Sequence, residues 1–176
     1  APRWIILPGG PIRVFFSEYP KYPNFSATCK GKGWGNGKGK GNEKETEKFK
    51  RFTLLKDYVI TKQKEIVNYN TRLNAASGDV NYRRLTNMGT FRSYVYQYLK
   101  HHPDIHQNMT LIVRQLQPGS HGLPLEIYAF TNVTDWFTYE GIQADILDHL
   151  LAIAPEFGLS MYQDPSGSDF QKLSTS

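Results

Sequence analysis

Cysteine is nearly absent: the chain of 176 residues has one, Cys29. A lone thiol excludes an intrachain disulfide and any zinc site built on several cysteines, which fits a reducing compartment or a fold that needs no staples. Long apolar runs are missing too. The longest candidates are Trp4–Leu7 (WIIL) and the mixed Leu150–Ala154 (LLAIA), far short of the ~18 to 20 consecutive apolar residues that cross a bilayer as a helix. The opening APRWIILPGG is too short in apolar residues, and too rich in Pro and Gly, to read as a signal peptide. An excess of positive charge is lacking over most of the length. Residues 1–51 hold eleven Lys or Arg against four acids, a net of +7, whereas residues 52–176 hold ten against twelve, a net of −2. The basic pI of about 9.2 therefore belongs to the N-terminal segment. Three Asn-x-Ser/Thr triplets, at Asn24, Asn108 and Asn132, are short enough to arise by accident and are read so.

What is present divides the chain into four parts. In residues 1–42, aromatics mix with Pro8, Pro11, Pro20 and Pro23, leaving room for a short strand near Ile12–Phe16. Gly31–Gly41 (GKGWGNGKGKG) has Gly at every second position, whose backbone entropy predicts a disordered tether. Residues 43–78 read as an amphipathic helical segment, with Phe49, Phe52, Leu55 and Val59, then Ile66, Tyr69 and Leu73, at three- and four-residue spacing, and a break expected near Thr61–Gln63. Asn42 with Glu45 suits a capping box, and Ser77-Gly78-Asp79 a stop. Residues 166–176 are expected to form a disordered tail.

Residues 79–165 carry the folded unit. A strand near Val80–Leu85 is followed by a helix over Thr90–Lys100 that presents Phe91, Val95, Tyr98 and Leu99 and ends before Pro103. Strands over Met109–Leu116 and Leu125–Thr131 flank the turn sequence Gln117–Gly122 and predict a hairpin. A second helix over Thr138–Phe157 places Ile142, Ile146, Leu150, Ile153 and Phe157 on one stripe. Pro155 should bend or end it early, and Gly158 supplies a stop before a last strand, Leu159–Gln163. The order βαββαβ is a split βαβ unit. The fold class is thus α+β, a ferredoxin-like sandwich preceded by an amphipathic helix and a low-complexity segment.

Sites for chemistry are scarce. The Gly-rich stretch lacks both the third Gly of G-x-G-x-x-G and a following G-K-[ST], so it is no P-loop. Its Lys30, Lys32, Lys38, Lys40 and Trp34 suit weak, salt-sensitive contact with nucleic acid, but a solvated linker is the default. His101, His102 and His106 are separated by Pro103 and read as a polar helix-end loop, not a metal site. Asp145, Asp148 and His149 share one helical turn without a nucleophile, which favours a surface pair or subunit contact over catalysis. Tyr94, Tyr96, Tyr98 and Tyr128 read as core and interface.

Four blocks go beyond topology: RRLTNMGTFR (Arg83–Arg92), MTLIVRQL (Met109–Leu116), GLPLEIYAFTN (Gly122–Asn132) and YEGIQADILDHLLAI (Tyr139–Ile153). They closely resemble the C-terminal cytoplasmic domain of small-conductance mechanosensitive (MscS-like) channels, in the YbdG-like branch. FKRFTLLKDYVITKQKEI (Phe49–Ile66) looks like the segment that precedes this domain there, so the resemblance covers roughly Phe49–Phe170. It implies one subunit of a homo-oligomer, seven in the family, around a vestibule below a tension-gated pore that relieves osmotic stress. The family's transmembrane helices and β-rich domain precede the matched segment, and residues 1 to about 46 show neither pattern. The chain is accordingly expected to be a channel fragment, at the cytoplasmic face of the bacterial inner membrane, meeting membrane only through transmembrane segments outside it. The family-motif or interface candidates are Arg83, Arg84, Asn87, Arg92, Arg114 and Asp145; Arg83, Arg84 and Arg92 read on their own could bind an anion, and in the family reading serve a subunit interface. No enzymatic activity, cofactor or metal is expected. A ferredoxin-like module binding nucleic acid through the basic tether is the alternative, although no RNP-type pattern appears. A small hydrolase using His149 is the third reading.

Overall fold

The computed structural model describes residues 13–14, 48–75, 79–119 and 122–162. Its elements are β1 (Arg13–Val14), a 3-10 turn (Thr53–Leu55), α1 (Lys56–Arg72), α2 (Asn87–Lys100), β2 (Ile112–Gln115), β3 (Leu125–Tyr128) and α3 (Trp136–Ile153), which tightens into a 3-10 turn over Ala154–Phe157. The class is α+β. The strands make one antiparallel sheet in the order β1-β3-β2.

Local chemistry explains where the helices start and stop. Thr86 caps α2, its Oγ1 accepting the Gly89 N–H at 3.2 Å, and Asp135 caps α3, its Oδ2 accepting from Thr138 N at 2.8 Å. Asn74 ends α1 in a left-handed conformation (φ 49°), with Ala75 N bonded to Asn70 O and Asn74 N to Thr71 O. The same pair of bonds closes the last turn after α3, where Gly158 has φ 69° and its N–H reaches Pro155 O while Leu159 N reaches Ala154 O. Pro155 has no N–H for a four-residue bond, and α3 stops being α-helical at Ile153 as its position predicts. The hairpin is present: Ile112 stands opposite Tyr128 and Gln115 opposite Leu125, with Gly119 and Gly122 bridged beyond them.

The core runs between sheet and helices. Phe91, Val95 and Leu99 from α2, Ile146 and Leu150 from α3, and Leu125 and Ile127 from β3 are fully buried, and Leu55 and Val59 join the same cluster. Phe157 is the hub at one end. Its ring lies 5.2 Å from those of Phe49, Phe52 and Phe91 and 5.4 Å from that of Tyr94, so the segment before α1, helix α2 and the end of α3 meet on one side chain.

Three expectations need correction. Val80–Leu85 is not a strand. Asp79 starts a turn, its Oδ1 accepting from Asn81 N at 2.8 Å and its carbonyl from Tyr82 N at 3.1 Å. Arg83 then bonds a side chain instead of a neighbouring strand: its N–H donates to Asn70 Oδ1 at 2.9 Å and its carbonyl accepts from Asn70 Nδ2 at 3.0 Å. In a ferredoxin-like sheet such a strand lies beside β3, and that edge is occupied by β1, with Arg13 opposite Glu126 and Val14 opposite Leu125. The strand expected near Ile12–Phe16 is thus real and holds the place expected for another. Second, Leu159–Gln163 is reduced to a single bridge residue, Ser160, with Gln163 outside the described residues. Third, α1 runs unbroken through Thr61–Gln63, where Lys62 pairs with Glu65 at 2.7 Å. The break falls at Phe52, whose extended backbone (φ −77°, ψ 112°) leaves both Phe49 and Phe52 against Phe157. The Gly-rich tether, the Asn42–Glu45 box, Ser77-Gly78 and the tail at 166–176 lie outside the described residues.

Candidate functional site

The six interface candidates belong to four segments: the stretch before α2, α2 itself, β2 and α3. Arg83 lies 4.8 Å over the Tyr69 ring and 3.4 Å from Glu65, so the segment after α1 is pinned to that helix by a cation–π contact, an ion pair and the Asn70 amide together. Glu65 is held below the usual carboxylate range, first by the Lys62 hydrogen bond and then by the Lys62 and Arg83 charges. Arg84 turns the other way, 5.6 Å over Tyr82. Asn87, half-buried, turns its Oδ1 back to Met88 N at 2.8 Å. Arg92 is exposed on α2 and Asp145 on α3.

Arg114 projects from β2 to Glu126 on β3, and the two form a hydrogen-bonded ion pair in which the carboxylate is buried and the guanidinium exposed. In backbone register Glu126 stands between Arg114 of β2 and Arg13 of β1. A buried carboxylate is strongly disfavoured without a partner such as the Arg114 guanidinium. Of the three arginines read as an anion site, Arg83 is engaged by Tyr69 and Glu65 of α1, Arg84 lies over Tyr82, and Arg92 is exposed on α2.

A second constellation joins α2 to α3. Tyr94 Oη and His149 Nε2 share a 2.8 Å hydrogen bond, and the imidazole stacks on Tyr98 with ring centroids 4.3 Å apart. His102 also meets the Tyr98 ring, edge to face at 5.4 Å. Burial pushes the His149 pKa down, and the charge of His102 adds to that; burial pushes the Tyr98 hydroxyl up, helped by Asp145. His149 is thus paired across the helix interface and not with Asp145 or Asp148 on its own helix. The arrangement fastens two helices but presents no nucleophile, and nothing in the described residues points to an enzyme.

The loop histidines are each engaged locally. His101 Nδ1 meets Gln97 O at 2.8 Å, His102 Nδ1 accepts from Asp104 N, and His106 Nδ1 accepts from Asn108 N. Among the described residues no group of three or more His, Cys, Asp or Glu stands ready for a metal ion. Asn132 Nδ2 donates to Pro103 O at 2.8 Å, a structural role for that triplet's asparagine.

Sequence reasoning passed over Asn70 and Glu126. Both had a signal: Asn70 follows Val59 and Ile66 on the inward stripe of α1, and Glu126 follows Leu125 in a strand otherwise buried, so each is a polar residue where an apolar one is due. No protein-family model matches the chain.

Proposed function

We propose that this chain is a cytoplasmic vestibule domain of an MscS-type mechanosensitive channel, which assembles with copies of itself and supports a tension-gated pore whose membrane helices lie outside these residues. The observation that carries the reading is the resemblance in Arg83–Ile153, whose four blocks fall one to an element: the first spans the cap and first turn of α2, the next two contain β2 and β3, and the fourth is most of α3. That helix–strand–strand–helix order is the middle of a ferredoxin-like βαββαβ unit. Among the described residues no helix is long and apolar enough to cross a membrane. In this role the domain contributes packing and subunit contacts, with Arg83, Arg84, Asn87, Arg92, Arg114 and Asp145 as interface candidates, and no bond chemistry.

The test is the molar mass of the full chain in solution, by light scattering after size exclusion. Seven copies of the 20.2 kDa chain give a particle of about 140 kDa. A mass of one chain at every concentration would remove the assembly role.

A further inference from the structure

Two helix faces that the core does not use are complementary to each other. On α3, Phe137, Ala144 and Leu151 recur every seven residues along the outer side, opposite the buried Tyr139, Ile146 and Leu150. Phe137 is 87% exposed and Leu151 41%, and Glu140 and Asp148 are interleaved in the same stripe. Helix α3 contains Glu140, Asp145 and Asp148 but no Lys or Arg. On α1, Ile60 and Val67 recur at the same interval, 43% and 55% exposed, with Lys64 between them. They line a shallow groove of about 490 Å³ together with Lys50, Gln63, Lys64 and Asn68. Lys64, Glu140 and Asp148 make no ion pair among the described residues.

We infer that the outer face of α3 of one copy docks on the α1 groove of a second copy, with Phe137 as the anchor in the groove and Lys64 set against Glu140 and Asp148. Each face is apolar along its centre and charged beside it: Glu140 and Asp148 flank one, while Lys56 and Lys64 outnumber Asp57 beside the other, which favours one face meeting the other over either meeting itself. Like faces would bring Phe137 to Phe137 but also carboxylate to carboxylate, or Lys64 to Lys64. The shared seven-residue recurrence suits two helices crossing at a shallow angle of about 20°. Both faces are exposed among the described residues, and their fit to each other makes a second copy the occupant that the charges favour. A head-to-tail contact leaves one face open at each end, and it continues into a ring where the rotation closes and into an open filament where it does not. Closure rests on the ring reading above; the contact itself does not.

The experiment uses the full chain with one face altered at a time, Phe137→Glu or Val67→Glu. Each variant alone should self-associate about tenfold or more weakly than the parent, as loss of an anchor does. An equimolar mixture should form a one-to-one complex, because the first variant keeps its groove and the second keeps its α3 face. Lys64→Glu should weaken association, and Lys64→Glu with Glu140→Lys should restore it, which carries the test if a glutamate variant fails to fold by far-UV circular dichroism. Self-association of either single variant at the parent's strength, or a mixture without the complex, would overturn the contact. A seven-membered particle indifferent to all these changes would remove the contact and leave the ring; a chain that pairs through these faces without closing would remove the ring and leave the contact. A parent chain that stays monomeric at its highest soluble concentration overturns the contact as well.

Discussion

Around Phe157 the fold is fastened by rings, whereas around Asn70 it is fastened by two hydrogen bonds from one amide. The aromatic joint brings Phe49, Phe52, Phe91 and Tyr94 to within 5.4 Å of one ring, so its stabilisation comes from apolar area removed from water and is shared among many contacts. The polar joint holds both main-chain groups of Arg83 through Asn70 Oδ1 and Nδ2, with the geometry of a strand partner supplied by a side chain. Non-directional burial tolerates small rearrangements. A two-point amide does not, because an intact hydrogen bond contributes about 0.5–1.5 kcal/mol while a stranded buried group costs about 1–3 kcal/mol.

Truncation of the hub should have the largest effect. Phe157→Ala empties the point where three segments meet and should lower stability by about 3–5 kcal/mol, read by urea unfolding. A loss below about 1 kcal/mol would mean that the rings around Phe157 are not a working joint. Asn70→Leu keeps the side-chain volume but strands the Arg83 N–H and carbonyl, at a cost of about 2 kcal/mol. Its diagnostic is local: the Arg83 amide should exchange with solvent deuterium much faster than in the parent, while the α2 amides change only by the global amount. Unchanged exchange at Arg83 would show that the amide pair does not protect that segment.

The His149 joint combines both materials, a ring stack on Tyr98 and a hydrogen bond to Tyr94, and it is sensitive to protons. Burial first, and His102 second, hold the folded pKa of His149 below its ordinary value of 6.5. The unfolded chain therefore takes up this proton first as pH falls. The contribution is fully present above about pH 6.5 and is lost as pH drops through that value toward the folded pKa. Asp135 and Glu65 are also held below their ordinary values, 3.8 and 4.5, so their losses come at lower pH. His149→Gln should flatten the stability profile just below about pH 6.5; an unaltered slope there would assign it to other groups.

These three joints also mark where reading the sequence stops. Helices α2 and α3 and the hairpin were legible because each is specified locally, by apolar residues at helical spacing, by Pro103 and Gly158 at the ends, and by the glycines of the turn. The segment Val80–Leu85 was not, because whether a short alternating stretch pairs depends on a vacant sheet edge, and β1 holds that edge from a distance in sequence. The partner of His149 was hidden for a related reason. Helical geometry placed it beside the apolar stripe of α3 but said nothing about Tyr94, which is 55 residues away. The break before α1 was misplaced since Thr61–Gln63 is weak in pattern, yet its exposed face needs no apolar residue, whereas Phe52 breaks the helix to reach a ring outside its own segment.

The smallest effect expected is at the start of α2, where a directional contact can be set against helix propensity. Gly89 lies inside the first turn, and replacing glycine by alanine in a helix ordinarily gains about 1 kcal/mol. Here a Cβ would stand 2.7 Å from Thr86 Oγ1, the atom that caps the helix by accepting the Gly89 N–H. The threonine must rotate away and surrender a cap worth about 1 kcal/mol, so Gly89→Ala should be near neutral. With Thr86→Ala already made, the cap is gone and the obstruction with it, and the same change should recover about 1 kcal/mol. A double-mutant cycle that closes with no coupling would show that Thr86 moves without loss. Coupling near 1 kcal/mol would show that this terminus, like the Asn70 joint and unlike the rings around Phe157, depends on one oxygen staying where it is.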